Sequence, residues 1–233
     1  MSFNNYGSSI QRNSPIVFNL IIINVLVFAA QNMITQFDIT EWGSLHYYKS
    51  SLFKPHQVVT HMFMHGSFSH ILFNMFGLWM FGTILERYWG PKKFLVFYLV
   101  CGIGAALVSE LLMPYEIMKT AKSTTQYIEN PEMLEAIVDF FKENNSSLGA
   151  SGAIMGVLAA FAYLFPNTEL YIMFIPIPVK AKYVIPVFVL IDLFGGLYHI
   201  KGDNIAHFAH LGGAIIGFLL VLYWNKTNRK TFY

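Results

Sequence analysis

The chain has 233 residues, of which 55% are hydrophobic, 17% aromatic and only 12% charged. A soluble domain carries about 25% charged residues, so lipid must replace water over much of this surface. A net charge of +2 gives no case for a nucleic-acid partner, and a single cysteine, Cys101, excludes an internal disulfide.

Residues 1–14 are polar and Asn/Ser-rich and read as a disordered tail. Pro15 opens an apolar run over 16–33, long enough to span about 30 Å of hydrocarbon. A signal peptide cut after Ala29-Ala30 is the competing reading. A retained helix is preferred, because the run is long and more spans follow. Residues 36–66 form an outer loop with Trp42, Tyr47, Tyr48 and Phe53 suited to headgroup depth. Ser67 or Ser69 is placed to cap a second span that runs to about Tyr88 and carries His70 and Asn74. Gly90-Pro91 breaks it, and 92–113 reads as a third span.

Residues 114–147 read as a long acidic outer loop. Inside it, Asn130-Pro131-Glu132 is a helix start, followed by Met133, Leu134, Ile137, Val138 and Phe141 at helical spacing. That helix either lies on the membrane or packs on its neighbours. The fourth span is 151–165, ended by Pro166-Asn167, the fifth about 183–198, the sixth 204–224, and 226–233 is a basic tail. The fold class expected is an all-α membrane protein, a bundle of six transmembrane helices spanning residues 15–225. Basic residues Arg87, Lys92, Lys93, Lys180 and Lys182, with the tail, put both termini in the cytoplasm of a multi-pass cell (inner) membrane protein.

Gly149-Ala150-Ser151-Gly152 opens the fourth span. A lone Ser among small residues has two readings, helix packing through Gly152…Gly156 and a nucleophile. Depth separates them. At 1.5 Å per residue the fourth span covers roughly 22 Å of a core of about 30 Å. Ser151 then lies ~8 Å below the surface, at the floor of a wet cavity. His210 falls ~9 Å down the sixth span by the same count. His70 and Asn74, four apart and so on one helix face, lie one to two turns down the second. Gly213…Gly217 against Gly152…Gly156 would let two backbones approach and bring Ser151 and His210 together. Taken singly, each polar residue could equally be a helix-to-helix hydrogen bond. The shared depth favours a site, outward-facing, in which His210 takes the Ser151 proton. His70, the Asn74 amide and the Ser151 backbone N–H are candidate donors to an oxyanion. Asp192 is a candidate third member, with a gate or structural hydrogen bond the preferred reading.

These motifs resemble those of the rhomboid family of intramembrane serine proteases. Gly149-Ala150-Ser151-Gly152 matches Gly-x-Ser-Gly. His70-Ile71-Leu72-Phe73-Asn74, preceded by His65-Gly66-Ser67, matches the second-span His-x-x-x-Asn. Ala209-His210 followed by Gly213 and Gly217 matches the sixth-span pattern, and Glu86-Arg87 stands near the end of the second span. The resemblance implies Ser151 as nucleophile and His210 as base, and sets His207 aside. It implies an oxyanion hole from His70, Asn74 and backbone N–H groups, with Gly149 among them. It also implies single-span membrane proteins as substrates, entering past the fifth span and cut near the outer face, with no metal and no cofactor. Two positions depart from the pattern: His56-Gln57 where Trp-Arg is common, and Met155 where Tyr is common. A non-catalytic helix-binding protein lacking Ser or His, and a small transporter with internal repeats, are the alternatives. Neither expected feature is present.

Overall fold

The structure, a computed structural model, describes residues 13–124, 131–171, 177–197 and 206–227. Of the tail expected to be disordered over 1–14, residues 1–12 lie outside the described residues, as do the Asn130 cap and the tail from 228, whereas Ser14 is buried.

Helix α1 covers Pro15–Met33, with proline at its first position, where no backbone donor is lost. Its first N–H groups are satisfied from far away: the Glu86 carboxylate accepts from the Ile16 and Val17 N–H groups at 2.9 and 2.8 Å. Short helices α2 (Ile39–Gly43) and α3 (Gln57–Thr60), a 3-10 turn over His61–Phe63 and strand β1 (Leu45–His46) make up the outer loop. Helix α4 (Phe68–Gly77) is capped by Ser67, whose hydroxyl accepts the His70 N–H at 3.1 Å. A π turn over Leu78–Gly82 joins it to α5 (Thr83–Trp89), and together they form the second span. Gly90, at φ 83, takes the chain out of that helix in a conformation few other residues adopt.

Helix α6 (Pro91–Thr124) corrects the sequence reading. The third span does not stop at Met113, and the acidic loop does not begin at Pro114. Proline costs about 3 kcal/mol inside a helix. Here, however, Met113 at the expected end, and Ile117 and Ala121 beyond it, are buried. Met113 and Ile117 pack with Tyr47, Val138 and Phe141, and that burial holds the extra turns. The same cluster moves Tyr47 from headgroup depth to the interior, 2% exposed, while Trp42 and Tyr48 stay exposed. Val138 and Phe141 belong to α7 (Pro131–Asn144), so this helix packs on the C-terminal end of α6 by one face, leaving Met133 and Phe140 exposed.

Strand β2 (Ser146–Ser147) pairs antiparallel with β1, and helix α8 (Ser151–Leu164) follows. Strands β3 (Glu169–Leu170) and β4 (Val179–Lys180) form a second two-stranded ladder. Helix α9 (Ala181–Leu197) starts with its Ala181 and Lys182 N–H groups donating to the Thr168 and Pro166 carbonyls. Helix α10 (His207–Thr227) completes the bundle.

Four segments, Pro15–Met33, Phe68–Trp89, Pro91–Lys122 and His207–Thr227, are long and apolar enough to cross a membrane; α8 and α9 are shorter apolar helices. Large apolar side chains face outward, among them Leu26, Phe73, Leu107, Ile191 and Leu219. Leu111 is 77% exposed, a position that lipid tolerates and water does not. This is an all-α membrane protein. Short α8 runs through its centre, buried from Gly152 to Val157 and from Ala159 to Phe161.

Candidate active site

Helix α8 is central because its residues are small. A Cβ at Gly213 of α10 would overlap the Gly152 carbonyl oxygen, and one at Gly217 would stand 2.5 Å from the Gly156 Cα. On the other side, a Cβ at Gly152 would come 2.6 Å from that of Ala105 on α6. The packing role expected of Gly152, Gly213 and Gly217 is therefore present, and it coexists with a polar site.

That site lies where α8 begins. The β1–β2 ladder pairs Leu45 with Ser147 and His46 with Ser146, fixing the chain just ahead of the turn. The Gly149 N–H donates to the His61 carbonyl at 2.8 Å. Gly149 has φ 123, a region side chains disfavour. A Cβ there would also stand 2.7 Å from His70 Nε2 and 3.7 Å from Asn74 Nδ2. Gly149 thus enters the site through its missing side chain. Its own N–H, expected among the oxyanion donors, is already engaged by the outer loop. Ser151 is the first residue of α8, so its N–H and that of Gly152 have no acceptor within the helix.

His210 Nε2 lies 2.7 Å from Ser151 Oγ. The remaining expected members, His70 and Asn74, come from α4 to the same place, against Gly149. Asn74 is buried, and its Nδ2 has no partner among the described residues. A buried donor left so costs about 1–3 kcal/mol. His65 supports His70 edge-on, ring centroids 5.0 Å apart, with both its own nitrogens buried and without a partner among the described residues. Burial first, then the neighbouring His70, push the His65 imidazole down to about 4, so it is a neutral plate. Its part could be read from the sequence only as His65-Gly66-Ser67 in front of His70.

Asp192 of α9 was expected as a gate or structural bond. Its Oδ1 lies 3.1 Å from His210 Nδ1 and 2.9 Å from His207 Nδ1. His207, set aside as the base, reaches the site through Asp192. Met155 packs with Ala159, Ala214 and Val189. The His56-Gln57 pair builds the outer loop. His56 stacks on Trp42 at 4.3 Å, and Gln57, 1% exposed, bonds to the Leu52 carbonyl, the Lys54 N–H and His46. A cavity of about 310 Å³ lies beside this pair, lined by Phe37, Asp38, Trp42 and Leu52, and touches none of the site residues.

The chain is similar in sequence to known proteins. RHOMBOID-like protein 12, mitochondrial, of Arabidopsis thaliana is 29% identical over 228 residues, covering 93% of this chain and 60% of that protein. Rhomboid protein 1, mitochondrial, of Saccharomyces cerevisiae is 30% identical, covering 92% of this chain and 55% of that protein. Rhomboid protease AarA of Providencia stuartii is 33% identical, covering 68% and 52%. The chain thus spans between about half and three fifths of the length of these relatives. The sequence pattern of the Rhomboid domain matches residues 53–226, from the outer loop to the end of α10. The chain belongs to the rhomboid family.

Proposed function

We propose that this chain is an intramembrane serine endopeptidase that cuts single-span membrane proteins near the outer membrane face by a Ser151–His210 dyad. The observation that carries this is the 2.7 Å contact between His210 Nε2 and Ser151 Oγ. A serine hydroxyl is a weak nucleophile until a base removes its proton. In this reading His210 takes the Oγ proton as the oxygen attacks the scissile carbonyl, then returns it to the leaving amine. The oxyanion is received by the Ser151 N–H and by the Asn74 Nδ2, a donor with no other partner among the described residues. His70 lines the same space. A non-catalytic helix-binder has no need of an aligned Ser–His contact or of a buried donor kept open.

The substrate helix enters past α9 and unwinds locally, because a helix hides its peptide bonds. The proposed location is the cell inner membrane with both termini cytoplasmic and the site opening outward. Supporting this are Arg87, Lys92 and Lys93 after the second span, and Lys180 and Lys182 before the fifth.

The test is labelling with a fluorophosphonate, which reacts only with activated serines. Detergent-solubilised protein should label once, at Ser151. Ser151→Ala should abolish the label and His210→Ala nearly so. Labelling should fall on acidification, since a protonated imidazole accepts no proton. A folded wild-type protein that never labels, or a label that survives Ser151→Ala, removes the protease reading.

A further inference from the structure

Helices α9 and α10 meet through two matched pairs. Asp192 and Gly195 are three apart on α9, and His207 and His210 are three apart on α10, so each pair shares a helix face. Asp192 Oδ1 reaches both imidazoles, at 2.9 Å to His207 Nδ1 and 3.1 Å to His210 Nδ1. A Cβ at Gly195 would overlap the His207 ring, so the missing side chain there makes the room that the ring occupies. Asp192 is 9% and His207 8% exposed.

The protons can be placed from this geometry. For Ser151 to donate its hydroxyl proton at 2.7 Å, His210 Nε2 must carry a lone pair. A neutral imidazole then carries its hydrogen on Nδ1. An ionised carboxylate only accepts, so Asp192 Oδ1 receives the Nδ1–H of His210 and also that of His207. One oxygen collects two N–H donors from adjacent turns of one helix.

We infer that Asp192 is the positioning residue of this site: it holds His210 in the Nδ1–H tautomer with Nε2 turned to Ser151, and His207 is the second donor that holds the carboxylate in place. The inference rests on Ser151 and His210 being nucleophile and base. As Ser151 attacks, its O–H bond breaks and a His210 Nε2–H bond forms. The imidazolium so made lies beside the Asp192 carboxylate, which stabilises its charge and takes no proton. An ordinary helix-to-helix staple would need His207 alone. The second contact, to the residue that touches Ser151, is what a staple leaves unexplained.

The tautomer can be read without any reaction, by long-range proton–nitrogen correlation NMR on the histidine-labelled full chain in detergent, with His210→Gln assigning the signal. The wild-type protein should show His210 protonated on Nδ1. Asp192→Asn should move population to the Nε2–H form and lower kcat by about 10²-fold or more, with KM within about threefold. Asp192→Glu should recover part of the rate. The inference is overturned if wild-type His210 carries its proton on Nε2, or if Asp192→Asn leaves kcat within about threefold. A fall in rate with the tautomer unchanged overturns it as well, in favour of helix packing. Should Asp192→Asn not fold, the tautomer of the unaltered protein decides. Wild-type protein that labels at Ser151 but shows the Nε2–H tautomer defeats this inference and leaves the proposed function standing. Protein that shows Nδ1–H but never labels defeats the proposed function, and the inference, which rests on it, falls with it.

Discussion

The Cα of Gly213 stands so close to the carbonyl of Gly152 that a methyl group on it would overlap the oxygen. The proposed nucleophile and base ride on these two backbones, Ser151 one residue before Gly152 and His210 three before Gly213. Their separation is set by main chain against main chain.

Gly213→Ala must therefore push α8 and α10 apart, and backbone has no rotamer by which to yield. The expected cost is about 1–3 kcal/mol or more, with fluorophosphonate labelling lost before the fold is. Thermal denaturation and labelling rate, measured on the same preparation, check this. Unchanged labelling would show that the helices can separate without opening the dyad.

Asn74→Ala separates chemistry from stability. Its Nδ2 has no protein partner to lose among the described residues, so the melting temperature should hardly move. Cleavage should slow by about 10²–10³, the usual loss for one oxyanion donor. An unchanged rate removes Asn74 from the mechanism.

Gln57→Ala should act on the outer loop alone. Removing the amide strips partners from the Leu52 carbonyl, the Lys54 N–H and buried His46. Each group stranded away from water costs about 1–3 kcal/mol. Denaturation should come at lower temperature while probe labelling at Ser151 persists. Loss of both together in folded protein would mean that the loop holds the site more tightly than the ladder and the His61 contact account for.

Glu143 gives a pH dependence. Its carboxylate accepts from the Ser51 hydroxyl and, at 3.0 Å, from the Ser51 N–H. The Ser51 hydrogen bond is the main reason that its carboxyl sits below the usual range. A lowered folded value means that the contact stabilises above the ordinary carboxylate range and is lost as pH falls through the folded value. Protection against hydrogen exchange at Ser51 and at the end of α7, taken relative to the intrinsic exchange rate at each pH, should therefore fall as pH drops through the folded value. Glu143→Gln should flatten that dependence. Protection that persists in acid would mean the tie does not depend on charge.

Much of this architecture could be read in the sequence because its signals are local. Six apolar runs, the Ser67 cap and the Gly90-Pro91 break all speak through neighbouring residues. The glycine pairs were legible because a four-residue spacing is a helix face whatever the fold. The continuation of α6 through Pro114 was not, since it depends on Tyr47 and Phe141 arriving from distant segments. Asp192 stands in the sequence as a candidate third member, gate or structural bond, but its contact with both histidines is not legible there. Only the three-residue spacing shared by Asp192–Gly195 and His207–His210 hinted at a match, and nothing local says that two such faces meet. Gly149 was read for its N–H, when its conformation and lack of a side chain are what the turn uses.

The Glu86 carboxylate, buried at 1% exposure, closes the first turn of α1 by binding Ile16 and Val17 some seventy residues earlier in the chain. During synthesis α1 is made before the second span, yet its first turn is completed by the close of that span. Until that span has entered the membrane, two amides at the head of α1 must find water or headgroups. Helix α1 can thus be inserted early but docked only late. Its final seat records that the chain's second crossing has been made.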